Sequence, residues 1–379
     1  MEAGALMPNR FDVAIIGAGA IGLSIAYVLS KTGAKIILLD RGPLGREASW
    51  AGAGILPPAN AATALHPYDQ LRGLSVKLHA EWAPSLLEET GIDNGFRRCG
   101  GLYVARTWGE AAALAGFIDL LREEQIEAID VKAELRTLEP QWSACDAGQA
   151  IRAAWLVPAE SQIRNPRHLA ALAASCRKRG VVFGENSEVR DVTRRGNRIE
   201  HLVAGTETVE ADRFCFCGGA WTGKILEQFG VSIAVIPIRG QMVLFRAIAG
   251  SLRHIVNEGP RYLVPRDDGL ILAGSTEEEA GFDKSTTEEA IDDLIGFAGR
   301  VMPELNRDAV ERTWAGLRPG TFDGLPYLGR VPECDNGFVA AGHFRSGLYL
   351  SPATAVMMSR LLLGQLPEID LQPFRIGRG

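Results

Sequence analysis

The sequence predicts an α/β protein that begins with a βαβ unit and carries a second, strand-rich unit threaded through the first. The βαβ unit is indicated by the apolar, β-rich run Phe11–Ile16, the helical composition of residues 20–31 and the buried-strand pattern of residues 35–39. Strand patterns then dominate residues 181–273. No linker, internal repeat or low-complexity tract separates the two units, which favours an interleaved arrangement.

The remaining elements follow from the same periodicities, taken in chain order. The segment 166–180 starts with a proline and ends with a glycine, which is typical of a helix. The predicted helices are 68–90, 109–124, 166–180, 288–301 and 351–363. The predicted strands are 102–105, 150–157, 181–183, 188–193, 198–203, 213–217, 233–245, 262–265, 270–273, 310–315 and 337–341.

Composition excludes several classes of protein. The chain has 379 residues with 40 basic and 46 acidic side chains, a net charge of −6, which weighs against a nucleic-acid partner. An apolar fraction of 46% and a charged fraction of 23% are those of a globular protein. Glycine is in excess, with 43 residues where ~7% is typical, and its lack of a period indicates tight turns or close backbone approaches.

Cysteine and histidine give no sign of a metal site. The six cysteines contain no CxxC pair, and the six histidines show no ligand spacing, so we predict no metal and buried thiols in a reducing compartment. Residues 13–30 carry no charge and have the length of a membrane span. Because glycines interrupt this stretch and a charged strand-helix unit follows, we predict no membrane association and a cytoplasmic location.

The glycine motif after the first strand predicts a dinucleotide site. Gly17 allows a tight turn, Gly19 lets the backbone approach a pyrophosphate, and Gly22 lets helix and strand pack closely. The N–H groups at the start of the helix would face the phosphates. Asp40, at the end of the next strand, would accept hydrogen bonds from a ribose. The alternative is a glycine-rich turn that binds nothing.

A second glycine-rich strand end favours FAD over NAD. Residues 214–221 form an apolar run that ends in Gly218, Gly219, Ala220 and Trp221. Flavoproteins with this type of nucleotide domain often close the FAD site with such a late strand, whereas an NAD dehydrogenase has no special need for it. An ordinary strand with a glycine turn is the alternative.

Several longer segments, in this order, resemble the FAD-dependent amine oxidases of the D-amino acid oxidase superfamily, and most of all its glycine oxidase branch. The resemblance runs from Asp12 to residues 374–376. It is carried by the segments ASWAGAGIL (48–56), YLVPR (262–266), RTWAGLRPGT (312–321), DGLP (323–326) and GHFRSG (342–347).

The resemblance implies a Rossmann-type FAD-binding domain with an interleaved substrate domain built on an antiparallel sheet. The FAD-binding domain would comprise 1–60, 150–230 and 318–379, and the substrate domain 61–149 and 231–317. The implied activity is oxidation of glycine, sarcosine or small D-amino acids to the imine by hydride transfer to the flavin. Dioxygen reoxidises the flavin and gives hydrogen peroxide, and in many bacteria the imine feeds thiazole synthesis for thiamine. A homo-oligomer is also implied.

The resemblance also assigns the substrate site. Arg318 would grip the carboxylate with its planar guanidinium, Tyr262 would add a hydroxyl contact, and Arg345 would reach both flavin and substrate. No protein base is needed if the amine arrives neutral. The residues implied to bind FAD are Gly17, Gly19, Ala20, Ile21, Gly22, Asp40, Arg41, Ala48, Ser49, Ala53, Gly54, Ile55, Val189, Gly218, Gly219, Trp221, Arg318, His343, Phe344, Arg345, Ser346, Gly347 and Leu348.

Alternatives remain open at this point. Arg318 could pair with a surface acid, Tyr262 could be a packing residue, and His343 reads better as a structural histidine than as a base. Ile55, Glu277 and Ser346 differ from residues common in the branch, which leaves substrate preference open. A dehydrogenase that passes electrons to an acceptor other than oxygen, or a non-catalytic flavoprotein, would use the same scaffold.

Overall fold

The computed structural model describes residues 10–140, 142 and 151–378. Its strands are β1 (Phe11–Ile16), β2 (Ile36–Leu39), β3 (Ile55–Leu56), β4 (Arg97–Arg98), β5 (Gly101–Ala105), β6 (Ile129–Asp130), β7 (Ala153–Val157), β8 (Ser161–Gln162), β9 (Val182–Gly184), β10 (Val189–Arg195), β11 (Arg198–Ala204), β12 (Glu207–Phe216), β13 (Ile236–Arg246), β14 (Ile255–Glu258), β15 (Arg261–Pro265), β16 (Leu270–Gly274), β17 (Val310–Gly320), β18 (Tyr327–Arg330) and β19 (Gly337–Ala341). Its helices are α1 (Ala20–Ser30), α2 (Ala48–Ala51), α3 (Pro67–Thr90), α4 (Trp108–Glu123), α5 (Leu135–Leu138), α6 (Asn165–Lys178), α7 (Thr222–Glu227), α8 (Glu288–Val301) and α9 (Gly347–Leu362).

The first sheet has a parallel centre that is buried on both faces. β1 lies between β2 and β12, β9 lies beyond β2, and β19 pairs with β12, all in parallel. Val13 and Ile15 of β1 belong to the core formed with α1, α6 and α9, whereas Ala14 and Ile16 belong to the core on the opposite face. Because both faces are covered, the strand is a continuous apolar run without polar alternation.

The second sheet has eight strands in the described residues, in the order β17-β13-β16-β15-β14-β5-β7-β6. Its pairs are antiparallel except for β14 and β5. Helix α8 covers one face, where Leu294 and Phe297 pack against Val243 and Phe245. The amphipathic pattern of this helix predicted it over 288–301, and the structure has the same bounds.

Two strands depart from the predicted organisation. β7 lies within the segment assigned to the FAD-binding domain, yet it pairs with β5 and β6 of the second sheet. β17 continues beyond the predicted 310–315 through Arg318 to Gly320. It is an edge strand of the sheet, so one of its sides has no neighbouring strand among the described residues. A proline, which has no N–H, is tolerated on such a strand. The domain boundaries themselves stay a prediction.

The uncharged stretch 13–30 forms most of β1, a glycine turn and α1. None of the helices in the described ranges is long and apolar enough to cross a membrane. The five described cysteines are free thiols, four of them buried and Cys99 half-buried. Cys145 lies outside the described residues.

Candidate active site

A cavity of about 500 Å³ lies where the carboxyl ends of the first sheet meet one face of the second. Binding at the carboxyl ends of parallel strands is the general rule for open α/β sheets. Of the predicted site residues, all except Gly22 line this cavity. An added Cβ at Gly22 would overlap the carbonyl oxygen of Gly17, so this glycine serves helix-strand packing, as its spacing predicts.

Main-chain atoms form the wall beside the first sheet. Gly17 has φ +110°, and a Cβ there would overlap the carbonyl group of Cys217 on the neighbouring strand. Gly219 also has positive φ, at +56°, but apart from its own chain neighbours no atom of the described residues lies within 4 Å of the position its Cβ would take. Since Gly219 lines the cavity, that position is open to a ligand.

The far end of this wall is polar. The carboxylate of Asp40 accepts hydrogen bonds from the N–H groups of Ala18 (2.8 Å) and Gly42 (3.0 Å). Burial raises the pKa of Asp40 above its ordinary value, and its remaining lone pairs are free to accept further donors. The Arg41 guanidinium stacks on the ring of Trp221, with 3.5 Å from its carbon to the ring centroid.

The segment between β19 and α9 brings a helix N-terminus to the cavity. Ser346 precedes α9 and its hydroxyl lies 3.2 Å from that of Tyr68 on α3. The Nε2 atom of His343 lies 3.1 Å from the hydroxyl of Thr354, and burial lowers the pKa of this imidazole to about 3. His343 is therefore neutral and hydrogen-bonded at physiological pH, which agrees with a structural histidine. The positive end of α9 faces the cavity through Gly347 and its neighbours.

Asn165 is a cavity-lining residue whose buried side-chain oxygen lies against Gly54. Its Nδ2 donates to the carbonyl oxygen of Ser49 at 2.7 Å, while its buried Oδ1 has no partner among the described residues. The hydroxyl of Ser49 in turn accepts from the N–H of Ala20 at 2.8 Å, which ties the loop to the start of α1.

Arg318 presents a half-buried guanidinium on the opposite wall. Its nitrogens donate to the carbonyl oxygen of Thr276 at 3.0 Å and to the hydroxyl of Ser275 at 2.7 Å. Among the described residues, no carboxylate lies within 4.0 Å of it. Burial lowers the pKa of Arg318, but a guanidinium remains charged at neutral pH. The group passes over Gly240, where any Cβ would overlap it.

Tyr262 stands in a row of cavity-lining side chains that crosses the second sheet. Its backbone is paired with Asn257 on one side and with Gly274 on the other. Asn257 is paired with Tyr103, and Gly274 with Met242. All four side chains of the row line the cavity. The sequence motifs identified only Tyr262. Met242, Asn257 and Tyr103 reach the cavity through the pairing of distant strands, which no motif indicates.

Arg345 lies at the mouth of the cavity with a side chain that is 47% exposed. One of its nitrogens is 3.7 Å from the carboxylate of Glu277. Glu277, which differs from the residue common in the glycine oxidase branch, therefore faces Arg345. Of the two arginines, Arg318 is the more buried.

Comparison with known proteins gives concordant results. Residues 12–361 match the family described as FAD dependent oxidoreductase. A glycine oxidase of Pseudomonas aeruginosa is 35% identical over 376 residues, which covers 96% of this chain and 97% of that protein. The crystal structure of glycine oxidase from Geobacillus kaustophilus superposes with a TM-score of 0.91 at 31% identity, covering 98% of this chain and all of the other.

The chain belongs to the FAD-dependent oxidoreductase family. This confirms the predicted superfamily, the α/β fold class and FAD as the cofactor of this oxidoreductase. A crystal structure of L-proline dehydrogenase from P. horikoshii shares the fold at a TM-score of 0.83 and 20% identity.

The cavity of the oxidoreductase fits FAD. The open position at Gly219 leaves room for a ligand against main chain, and Asn165 holds a buried acceptor that no described residue satisfies. Two helices of eleven and sixteen residues, α1 and α9, begin at the cavity. Their free N–H groups suit a pyrophosphate and the electron-rich edge of a flavin.

Proposed function

We propose that this oxidoreductase oxidises glycine or a small amine-bearing acid such as sarcosine or a small D-amino acid. The product is the imino acid, and dioxygen is the final electron acceptor. Two relatives with the name glycine oxidase, from Pseudomonas aeruginosa and Pseudomonas putida, are 35% and 34% identical and support this substrate class. A relative named bifunctional protein ThiO/ThiG supports supply of the imine for thiazole synthesis.

The observation that carries the proposal is that the half-buried guanidinium of Arg318 has no carboxylate partner among the described residues. This guanidinium loses hydration on burial, and within the described part of the chain only the Thr276 carbonyl and the Ser275 hydroxyl replace it. A substrate carboxylate would restore the balance through two parallel hydrogen bonds, which fix its position and its plane. The contacts to Ser275 and Thr276 hold the guanidinium fork in place before the substrate arrives.

Tyr262 would complete the carboxylate site. Its hydroxyl is a neighbour of the Arg318 guanidinium. The hydroxyl donates to the Met242 sulfur at 3.5 Å, which is a weak acceptor. Exchanging that contact for a carboxylate oxygen is favourable because charge-assisted hydrogen bonds are the stronger kind. Together the two residues would orient the substrate's α-carbon.

FAD would be held by the glycine turn after β1, Asp40, Ser49, Asn165 and the N-terminus of α9. When bound, FAD supplies the oxidising power, accepting a hydride from the α-carbon and passing electrons to dioxygen. The chain contributes binding and orientation. We further propose that the protein is cytoplasmic and forms a homo-oligomer. Light scattering on the purified holoenzyme would test the oligomeric state.

A substrate panel tests the function. Glycine, sarcosine and D-alanine are added to the purified holoenzyme without oxygen, and the flavin absorbance near 450 nm is followed; peroxide is then measured in air. We expect at least one to bleach the flavin and to yield one peroxide per imine. L-Proline is the comparison substrate, because a protein with this fold is an L-proline dehydrogenase.

The outcomes separate the alternatives. Bleaching with little oxygen consumption would replace the oxidase by a dehydrogenase that uses another acceptor. Bound FAD that none of the small amino acids bleaches would contradict the proposed function.

A further inference from the structure

A fully buried carboxyl group lies directly behind the row of side chains that lines the cavity. Glu160 follows β7 in a turn, where its N–H donates to the carbonyl oxygen of Val157 at 3.2 Å. Its side chain is 0% exposed and folds over Gly101, where a Cβ would overlap the carboxylate. The glycine that opens β5 is thus required for this carboxyl group to reach its position.

Both hydrogen-bond partners of Glu160 are residues of the cavity wall. The hydroxyl of Tyr103 donates to one carboxylate oxygen, and Nδ2 of Asn257 donates to the other at 3.0 Å. Tyr103 and Asn257 line the cavity, whereas Glu160 does not. In the described part of the chain, no Lys, Arg or His nitrogen lies within 4.0 Å of this carboxylate.

Strand register places this cluster next to the substrate site. Tyr103 is paired with Asn257, and Asn257 with Tyr262, so the three residues occupy neighbouring positions on one face. Two strand spacings separate the backbones of Tyr103 and Tyr262, about 10 Å. The hydroxyl of Tyr103 therefore connects a buried carboxylate to the cavity in which Arg318 would hold an amino acid.

We propose that Glu160 accepts the ammonium proton of the substrate through the hydroxyl of Tyr103. This rests on the proposed function, since an amino acid arrives as a zwitterion and must lose a proton before hydride leaves its α-carbon. The ammonium gives a proton to the Tyr103 oxygen, directly or through a water, as the Tyr103 hydroxyl proton moves to Glu160. Asn257 keeps the carboxylate oriented, and its own Oδ1 remains as an acceptor.

Protons and electrons balance over the turnover. The ammonium loses one proton to Glu160, and the α-carbon loses a hydride, which leaves the iminium product. Reduction of dioxygen to hydrogen peroxide consumes that hydride equivalent and one further proton. The proton stored on Glu160 supplies the latter, so the carboxylate is regenerated in each cycle.

The electrostatic surroundings are suitable for this task. Burial raises the pKa of Glu160 to about 7, because its partners offset only part of the lost hydration. The titratable groups that face it are the Tyr103 hydroxyl and the Cys99 thiol, and burial raises the pKa of both. A carboxyl group whose pKa is close to 7 can both take and release a proton at physiological pH.

The pH dependence of kcat/KM tests the proposal with Glu160→Gln and Tyr103→Phe. For the wild-type holoenzyme we expect kcat/KM to rise to a plateau above about pH 7. In either variant only neutral amine would react, so kcat/KM should keep rising toward about pH 10, the ordinary range of an alkyl ammonium. About one amine in a thousand is neutral at pH 7, so the deficit should be several hundred-fold there and should close at high pH.

Two controls distinguish proton transfer from a structural effect. Glu139 is an equally buried carboxylate of the same region that accepts the N–H groups of Arg253 and His254 away from the cavity. Glu139→Gln should leave the pH profile of kcat/KM unchanged. Glycolate has the carboxylate without the amine, so its affinity, read from the flavin spectrum, should agree within about twofold between wild type and Glu160→Gln.

The proposal would be overturned if kcat/KM of Glu160→Gln and Tyr103→Phe had the same pH dependence as the wild type, whether at the same level or lower by one factor at every pH. Should Glu160→Gln fail to fold, Tyr103→Phe provides the same test with the carboxyl group intact. Failure of the proposed function is a separate result, because the wild-type enzyme would then turn over none of the amino acids.

Discussion

The two walls of the cavity are built from different parts of the chain. The wall beside the first sheet is mostly main chain, with glycines at the turn after β1 and at the end of β12, and helix N-termini between them. The wall beside the second sheet is a row of side chains, Tyr103, Asn257, Tyr262 and Met242, with Arg318 next to it.

This difference matches two kinds of ligand. A dinucleotide is long and anionic, and backbone N–H groups meet it wherever a side chain is missing. A small amino acid offers few contacts, so charged and hydroxyl groups must be placed individually. Substitutions in the first wall should therefore affect cofactor retention, and those in the second should affect kcat/KM with the cofactor in place.

The largest effect is expected for Gly17→Val. Its φ of +110° is unfavourable for a branched side chain, and its Cβ would overlap the main chain of Cys217. We expect loss of bound FAD in the purified protein, measured by the ratio of absorbance at 450 and 280 nm. Gly116→Ala on α4, where a Cβ would meet none of the described side chains or loops within 4 Å, is the control and should keep its full FAD content.

Arg318→Lys should come next. The lysine keeps the charge but cannot make two parallel hydrogen bonds, a loss of about 1.5–3 kcal/mol, or roughly 10- to 100-fold in kcat/KM. Steady-state kinetics with the best substrate of the panel measures this, while FAD content should equal that of the wild type. Unchanged kinetics would remove Arg318 from the substrate site.

Gly240→Ala should give the smallest of the three effects. The new methyl group overlaps the Arg318 guanidinium, which can shift because it ends a flexible side chain. Displacement from good geometry should lower kcat/KM about 10-fold with little change in thermal stability. Gly296→Ala on α8 adds the same methyl in open space and should leave kcat/KM as it was; equal kinetics in both variants would argue against a preset guanidinium.

The sequence identified the first wall more fully than the second. The glycine motif and Asp40 lie within one βαβ unit, where each requirement is local: a positive φ, a close approach or a strand end. The segment containing Arg318 and the one containing Tyr262 were found through family resemblance, because neither arginine nor tyrosine has a local signature for substrate binding. The strand β14 and the extension of β17 were not predicted, since short pairing partners and a proline at a sheet edge carry no periodic signal.

What the sequence by itself determined is the glycine-rich wall beside the first sheet, the FAD cofactor and the α/β class. Only the tertiary structure decided that β7 joins the second sheet and that Tyr103, Asn257 and Tyr262 share one row. It alone also set Glu160 behind them, over Gly101. The physical reason is register: hydrogen bonding between strands more than 150 positions apart in the chain fixes which side chains meet, and no local pattern encodes that pairing.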